Sequence, residues 1–175
     1  NSGNSIDEIV TNTNSSVIRT KVGSVEVSRR MIVENALLGF EENGGFMFGK
    51  HNHVRDGAMT LALVLDLLAD SGKTITEELQ ILPSSFTTKD KISCTNEAAN
   101  RVISELKSEF PDADITDGIK IVFDKKNWIM VRQSGTEPIM RIYGESDSQK
   151  NLEVLMRTYL DKIQLILSDN TFKTT

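Results

Sequence analysis

Cysteine is nearly missing from this chain: Cys94 stands alone among 175 residues. No disulfide can close within the chain, and no cysteine cluster can hold a zinc ion. A reducing compartment is the simplest setting, so a cytoplasmic location is expected. Histidine is almost as scarce, with only His51 and His53. Alternate residues share one face of a strand, but only Glu41, Glu42 or Asp56 could complete a metal site with them. Two solvated imidazoles in a polar loop is the plainer reading, and no metal site is expected. Positive charge is not in surplus either. Twenty basic residues meet 25 acidic ones, for a formal net charge of −5, which disfavours a general nucleic-acid binder. The longest apolar run, Ala58 to Ala69, is interrupted by Thr60 and Asp66 and is too short to cross a bilayer. The opening Asn-Ser-Gly-Asn-Ser has neither the charged nor the apolar region of a signal peptide. Neither membrane nor nucleic acid is an expected partner.

What remains suits a water-soluble globular chain. Hydrophobic residues make up 38% and charged residues 26%, enough apolar material for a core. The length fits one ordinary domain or two small ones. Residues Ile6 to Thr11 read as a short helix and Ser16 to Arg19 as a short strand. From Val25 to Ala36 the apolar spacing fits strand and helix equally. A turn-rich acidic loop, Gly39-Phe40-Glu41-Glu42-Asn43-Gly44-Gly45, then leads into Phe46-Met47-Phe48. Asp56 can cap a helix over about Gly57 to Asp70. That helix is apolar nearly all round, so burial on most sides is expected. Gly72 ends it, Thr76 to Leu82 offers one more helical turn, and Pro83 stops that.

Polar residues from Ser84 to Asp90 break the apolar periodicity, which places a domain boundary there, with domains over 1–83 and 84–175. Beyond it Ala99, Val102, Ile103, Leu106 and Phe110 recur at helical spacing, closed by Pro111. Ile119 to Phe123 and Trp128 to Val131 read as a hairpin, and Ile139 to Gly144 as a third strand. Ser146 and Gln149 suggest a capping box for a last helix with an apolar stripe from Leu152 to Leu167. The second half therefore reads as an α+β arrangement, helices on an antiparallel sheet. Cys94, at the end of a short apolar strand, reads as a small buried hydrophobe.

The chemistry concentrates in Arg132-Gln133-Ser134-Gly135-Thr136-Glu137-Pro138, with Arg141 three residues on. Two neighbouring strands bring both guanidinium groups to one end of a hairpin. Between them lie two hydroxyls and a glycine that gives the backbone amides room to turn toward a ligand. Hydroxyls, amides and fork-shaped cations match the oxygens of a phosphate monoester. Arginine suits this better than lysine because it binds two oxygens at once. By spacing alone, the segment reads equally as a polar hairpin loop with two surface arginines. Ser134 has no base nearby in the sequence and is not expected to be a nucleophile.

This segment resembles the phosphate-binding loop of the α-D-phosphohexomutases, Arg-x-Ser-Gly/Asn-Thr-Glu-Pro followed by a second arginine. Arg132, Ser134, Gly135, Thr136, Glu137, Pro138 and Arg141 all match, and only Gln133 falls at a variable place. Upstream, Glu41-Glu42-Asn43-Gly44-Gly45 is similar to the family's sugar-binding loop, in the form of its archaeal members. Glu41 takes the place of the glutamate and Asn43 that of the serine, while Gly45 stands where many members have histidine. A carboxylate and an amide can together grip two neighbouring hydroxyls. Arg19-Thr20-Lys21-Val22-Gly23 is similar to a further segment beside the substrate, and Arg55-Asp56-Gly57 is a fourth match.

The resemblance implies an α/β third domain (a mixed sheet with helices, as in phosphoglucomutase) and an α+β fourth domain like the TATA-box-binding protein. It also implies isomerisation of hexose 1-phosphate and hexose 6-phosphate through a bisphosphorylated sugar, the phosphoryl group coming from a magnesium-assisted phosphoserine. The phosphoserine loop of the family's first domain and the Asp-Gly-Asp-x-Asp metal loop of its second have no match here. Asp56-Gly57 and Asp117-Gly118 are isolated pairs that fit neither. No catalytic residue is therefore assigned to this chain, and it is expected to be inactive alone. The Mg2+ would be bound outside it, with the first and second domains as partners, and a glucose 1,6-bisphosphate-type activator is compatible with the family. The residues implied to bind substrate are Glu41, Asn43, Arg132, Ser134, Gly135, Thr136 and Arg141, with Arg19, Thr20, Lys21 and Gly23 as a further loop. A sugar-phosphate-binding module without chemistry of its own would share every one of them.

Overall fold

The computed structural model describes residues 1–11 and 13–169. The chain divides into two compact units, Asn1–Pro83 and Ser84–Thr175.

In the first unit a short helix, α1 (Ser5–Thr11), precedes α2 (Ser24–Glu34). The ambiguous 25–36 stretch is thus helical. Gly23 precedes it at φ 135°, and Asn35 ends it in the left-handed conformation that asparagine tolerates. Ser16 to Arg19, expected as a strand, lies in no strand. An isolated extended segment without a ladder partner gains nothing from its backbone groups. The two strands of the unit, β1 (Leu38–Phe40) and β2 (Phe46–Phe48), pair antiparallel, with Leu38 opposite Phe48. Where the resemblance implies a mixed sheet, the described residues of this unit form only that antiparallel pair within an α/β arrangement. Met47 and Met31 are its buried apolar side chains.

Helix α3 (Gly57–Ser71) is capped by Asp56, whose carboxylate accepts the Met59 amide at 2.9 Å. That bond is the main reason the Asp56 carboxyl lies below its ordinary pKa. Contrary to expectation, none of its residues is buried, and Leu61, Leu65 and Leu67 are more than half exposed. The helix packs on β2, and one short hairpin can cover only one stripe of a helix that is apolar all round. Helix α4 (Ile75–Gln80) follows, opened by a capping box between Thr74 and Glu77.

The second unit is built on a four-stranded antiparallel sheet in the order β3-β6-β5-β4. Its strands are β3 (Phe86–Ser93), β4 (Ile119–Val122), β5 (Trp128–Gln133) and β6 (Ile139–Ser146). The polar stretch at the domain boundary is mostly β3, paired with β6 over its whole length. It lacks apolar periodicity because it is an edge strand exposed everywhere but at Ile92, and polar edges guard against stray pairing. Cys94 follows it, packed against the core, where burial pushes the thiol pKa up.

Helices α5 (Asn96–Glu109) and α6 (Gln149–Ser168) cover one face of this sheet. Val102 and Leu106 of α5 and Leu152, Met156, Tyr159 and Ile163 of α6 meet Ile119, Ile121, Ile129, Val131, Met140 and Ile142. Alternation along the strands sends the neighbours of those residues to the opposite face. There Trp128, Met130 and Tyr143 make a second buried cluster. The Lys120 ammonium lies 4.1 Å from the Trp128 ring centroid, and Glu145 accepts hydrogen bonds from the Trp128 indole and the Ser85 hydroxyl. The cap of α6 is Ser148, whose hydroxyl accepts from the Asn151 amide, and not the expected Ser146–Gln149 box. Ser146 is still in β6, where its hydroxyl donates to Asn127. Gln149 donates forward to Glu153.

Candidate functional site

The register of β5 and β6 places Arg132 directly opposite Arg141. Cross-strand partners share a face, so both guanidiniums leave the sheet on the side of Trp128 and Tyr143. Like charges in such a pair repel, and each arginine has its own carboxylate to offset this. Arg132 donates through Nε to Asp117 Oδ2 at 2.9 Å, and Arg141 donates through Nη2 to Glu137 Oε2 at 2.7 Å. The two pairs differ in setting. Arg132 and Asp117 side chains are 14% and 17% exposed, whereas Arg141 and Glu137 are 39% and 52% exposed.

The connection between the strands is a tight turn. The Ser134 amide donates to the Ile139 carbonyl at 2.9 Å, and the Ile139 amide to the Glu137 carbonyl at 2.8 Å. Ser134 is buried, and its hydroxyl accepts the Thr136 amide at 3.4 Å. Gly135 has ordinary backbone geometry and room around it. Its φ is not positive, and a Cβ built there would meet no atom within 4 Å. The glycine leaves open space above the turn. Two forks, two hydroxyls and an open turn thus come together within one short stretch of chain.

The second candidate loop joins β1 to β2. The Glu41 amide bonds the Gly45 carbonyl at 2.8 Å, the Gly44 amide bonds the Glu41 carbonyl, and Gly44 adopts φ 87°. Asn43 Oδ1 accepts the Gly45 amide at 3.2 Å, and the residue is exposed, with an amide NH2 that can donate. Glu41 is 11% exposed, and its Oε2 is buried without a hydrogen bond, 3.7 Å from Arg55 Nη1. A Cβ at Gly45 would lie 2.4 Å from Arg55 Cδ, so the missing side chain at position 45 is what lets Arg55 lie across the loop. Sequence reasoning placed Arg55 only in a motif. The small residue at position 45 was the signal that a long side chain could fill that room.

The remaining expected residues, 19–23, lie between α1 and α2. Arg19 is bound to the start of the chain through the carbonyls of Ser2 and Gly3 and the side chains of Asn4 and Asp7. It clamps the N-terminal segment through Nη1 and Nη2. Thr20 donates to the Lys21 carbonyl, Lys21 is exposed, and Gly23 opens α2. The histidines do not alternate on a strand: both lie in the turn after β2, where His51 is 3.2 Å from Asp56 Oδ2. Among the described residues no three histidine, cysteine or carboxylate side chains converge as a metal site. None of the described helices is long and apolar enough to cross a membrane.

Comparison with known proteins places the chain in a family. Residues 1–86 match phosphoglucomutase/phosphomannomutase alpha/beta/alpha domain III, and residues 88–161 match the C-terminal domain of the same family. The chain is 40% identical over 149 residues to a phosphoglucosamine/phosphogalactosamine mutase of Sulfurisphaera tokodaii, covering 82% of this chain and 32% of that protein. It is 39% identical over 161 residues to a phosphoglucomutase/phosphomannomutase of Thermococcus kodakarensis, covering 90% of this chain and 34% of that protein. In fold it is similar to a phosphoglucomutase/phosphomannomutase family protein of Burkholderia thailandensis. The TM-score there is 0.74 at 20% identity, over 94% of this chain and 36% of the other. The chain thus spans about a third of the length of the curated relatives it matches. With both units matched in order along the sequence, the chain belongs to the phosphoglucomutase/phosphomannomutase family and carries its domain III followed by its C-terminal domain.

Proposed function

We propose that this chain supplies the phosphate cradle and sugar clamp of a phosphohexomutase that interconverts hexose 1-phosphate and hexose 6-phosphate. The observation that carries the reading is the cross-strand pair Arg132–Arg141 flanking the open Ser134–Thr136 turn. A phosphate monoester dianion is bound there by two guanidinium forks, the two hydroxyls and the turn amides, all charge-assisted or directed at phosphate oxygens. Gly135 leaves the approach open. Glu41 offers a carboxylate to sugar hydroxyls and Asn43 its amide N–H groups, one accepting and the other donating.

The isomerisation needs a sugar held by the phosphate that is not reacting, with the other end presented for transfer. Anchoring that remote phosphate turns binding energy into orientation of the reacting end. The phosphoserine that transfers the phosphoryl group and the magnesium ion that assists it are assigned to parts of the enzyme outside this chain. No residue here is given a catalytic role, and the chain alone is read as inactive. The substrate class is a hexose phosphate with a hydroxyl or an amine at carbon 2, the range spanned by the relatives' names. A cytoplasmic setting fits the lone cysteine and the phosphorylated substrate. Titration of the chain with glucose 1,6-bisphosphate tests the reading. The parent binds, and Arg141→Ala weakens that binding while plain glucose gives none; equal binding by parent and variant would reject it.

A further inference from the structure

Asp117-Gly118, a pair that fits neither metal nor phosphoserine loop, lies against the phosphate cradle. The turn that carries it is closed by reciprocal backbone bonds, Asp114 amide to Lys120 carbonyl at 3.0 Å and Lys120 amide to Asp114 carbonyl at 2.8 Å. Within it Asp114 Oδ1 accepts the Thr116 amide at 2.8 Å. Gly118 has φ 76°, and a Cβ there would lie 2.3 Å from the Val131 carbonyl oxygen and 2.8 Å from Arg132 Cα. Only glycine lets this turn approach β5 so closely at the position of Arg132. The approach brings Asp117 Oδ2 to Arg132 Nε in a largely buried pair.

We propose that Asp117 is the positioning residue of the phosphate cradle. It takes the Nε–H of Arg132 and so fixes the guanidinium plane, leaving the two terminal nitrogens to face a phosphate. Those nitrogens donate to no described residue. A free arginine side chain must lose rotamer freedom on binding, and a held one has lost it already. The inference rests on the phosphate-binding reading above and deepens it.

The sign of the effect separates positioning from simple charge. A carboxylate beside an anion site repels the anion, so if Asp117 acted through its charge alone, removing it would tighten phosphate binding. Positioning requires the opposite for Asp117→Ala. The test titrates the 175-residue chain and its variants with glucose 1,6-bisphosphate and follows the Arg132 Nε–H signal by NMR. Asp117→Ala is expected to weaken binding roughly tenfold and to lose the slowly exchanging Nε–H signal. Asp117→Asn keeps an acceptor without the charge, and it should retain the signal and bind at least as tightly as the parent. Should the alanine variant not fold, Asp117→Ser, too short to reach Nε, takes its place with the same expected loss. Unchanged or tighter binding in the folded alanine or serine variant overturns the positioning role, provided Arg132→Ala still abolishes binding. Equal binding by the parent and Arg132→Ala would instead reject the phosphate reading, and the positioning role with it.

Discussion

Arg132 and Arg141 are alike in sequence and differ in their surroundings. Nothing in their spacing distinguishes one from the other. The structure separates them. Arg132→Ala leaves Asp117 partly buried without the Nε–H it accepts, and that is expected to cost about 1–3 kcal/mol of stability. Arg141→Ala breaks an exposed pair with Glu137, for which the expected cost is about 0–1 kcal/mol. Urea unfolding of the two variants checks the ranking, and equal losses would contradict the assignment of Asp117 as the partner that matters. The residues of the proposed cradle were legible through the family resemblance of Arg132 to Pro138, since spacing alone fits a polar hairpin loop with two surface arginines equally well. Asp117 was not legible, since it acts from 15 residues away through a turn geometry that no local spacing reveals. The partners of Arg19 were not legible for a similar reason: its position in a motif gave no hint that Ser2, Gly3, Asn4 and Asp7 bind it.

At the scale of elements, periodicity located helices well and their surroundings badly. The 57–71 helix was foreseen with its Asp56 cap, yet the apolar pattern that predicted burial says nothing about what covers it. Strand β3 escaped because an exposed edge strand needs no apolar alternation. The cap of α6 shifted from Ser146 to Ser148 because β6 runs through Ser146 and only then releases the chain. The sugar-loop hairpin shows how tightly a short element can be seated. The Gly49 amide bonds the Leu37 carbonyl at 2.8 Å, and a Cβ at Gly49 would lie 2.7 Å from the Ala36 carbonyl oxygen. Backbone cannot yield as a flexible side chain can. Gly49→Ala is therefore expected to destabilise the first unit by about 1–3 kcal/mol, read as an earlier thermal unfolding transition. No change in that transition would show that the hairpin is less firmly held than its contacts indicate.

Across the whole molecule, the exposed leucines of α3 sit in a chain only about a third as long as the relatives it matches. The second unit carries its own core, and one titration in that core has a clear consequence. Burial, with the Glu109 charge as a second cause, pushes the Tyr159 hydroxyl up from 10.0 to about 12. The folded state therefore holds this proton more tightly than the unfolded state. Its stabilising effect is complete below pH 10 and is lost as pH rises from 10 to about 12. Stability measured across that window should fall, and Tyr159→Phe should flatten the decline. An equal decline in the variant would assign it to other groups.

The central claim is that the β5–β6 turn is a phosphate cradle. The most direct measurement is an NMR titration of this chain with glucose 1,6-bisphosphate, with plain glucose and inorganic phosphate as controls. The account predicts shifts at Ser134 to Glu137 and at the Arg132 and Arg141 side chains, stronger with the bisphosphate than with inorganic phosphate and missing with glucose. No shift at these residues at millimolar bisphosphate would contradict it, and shifts that inorganic phosphate reproduces in full would reduce the cradle to a general anion site.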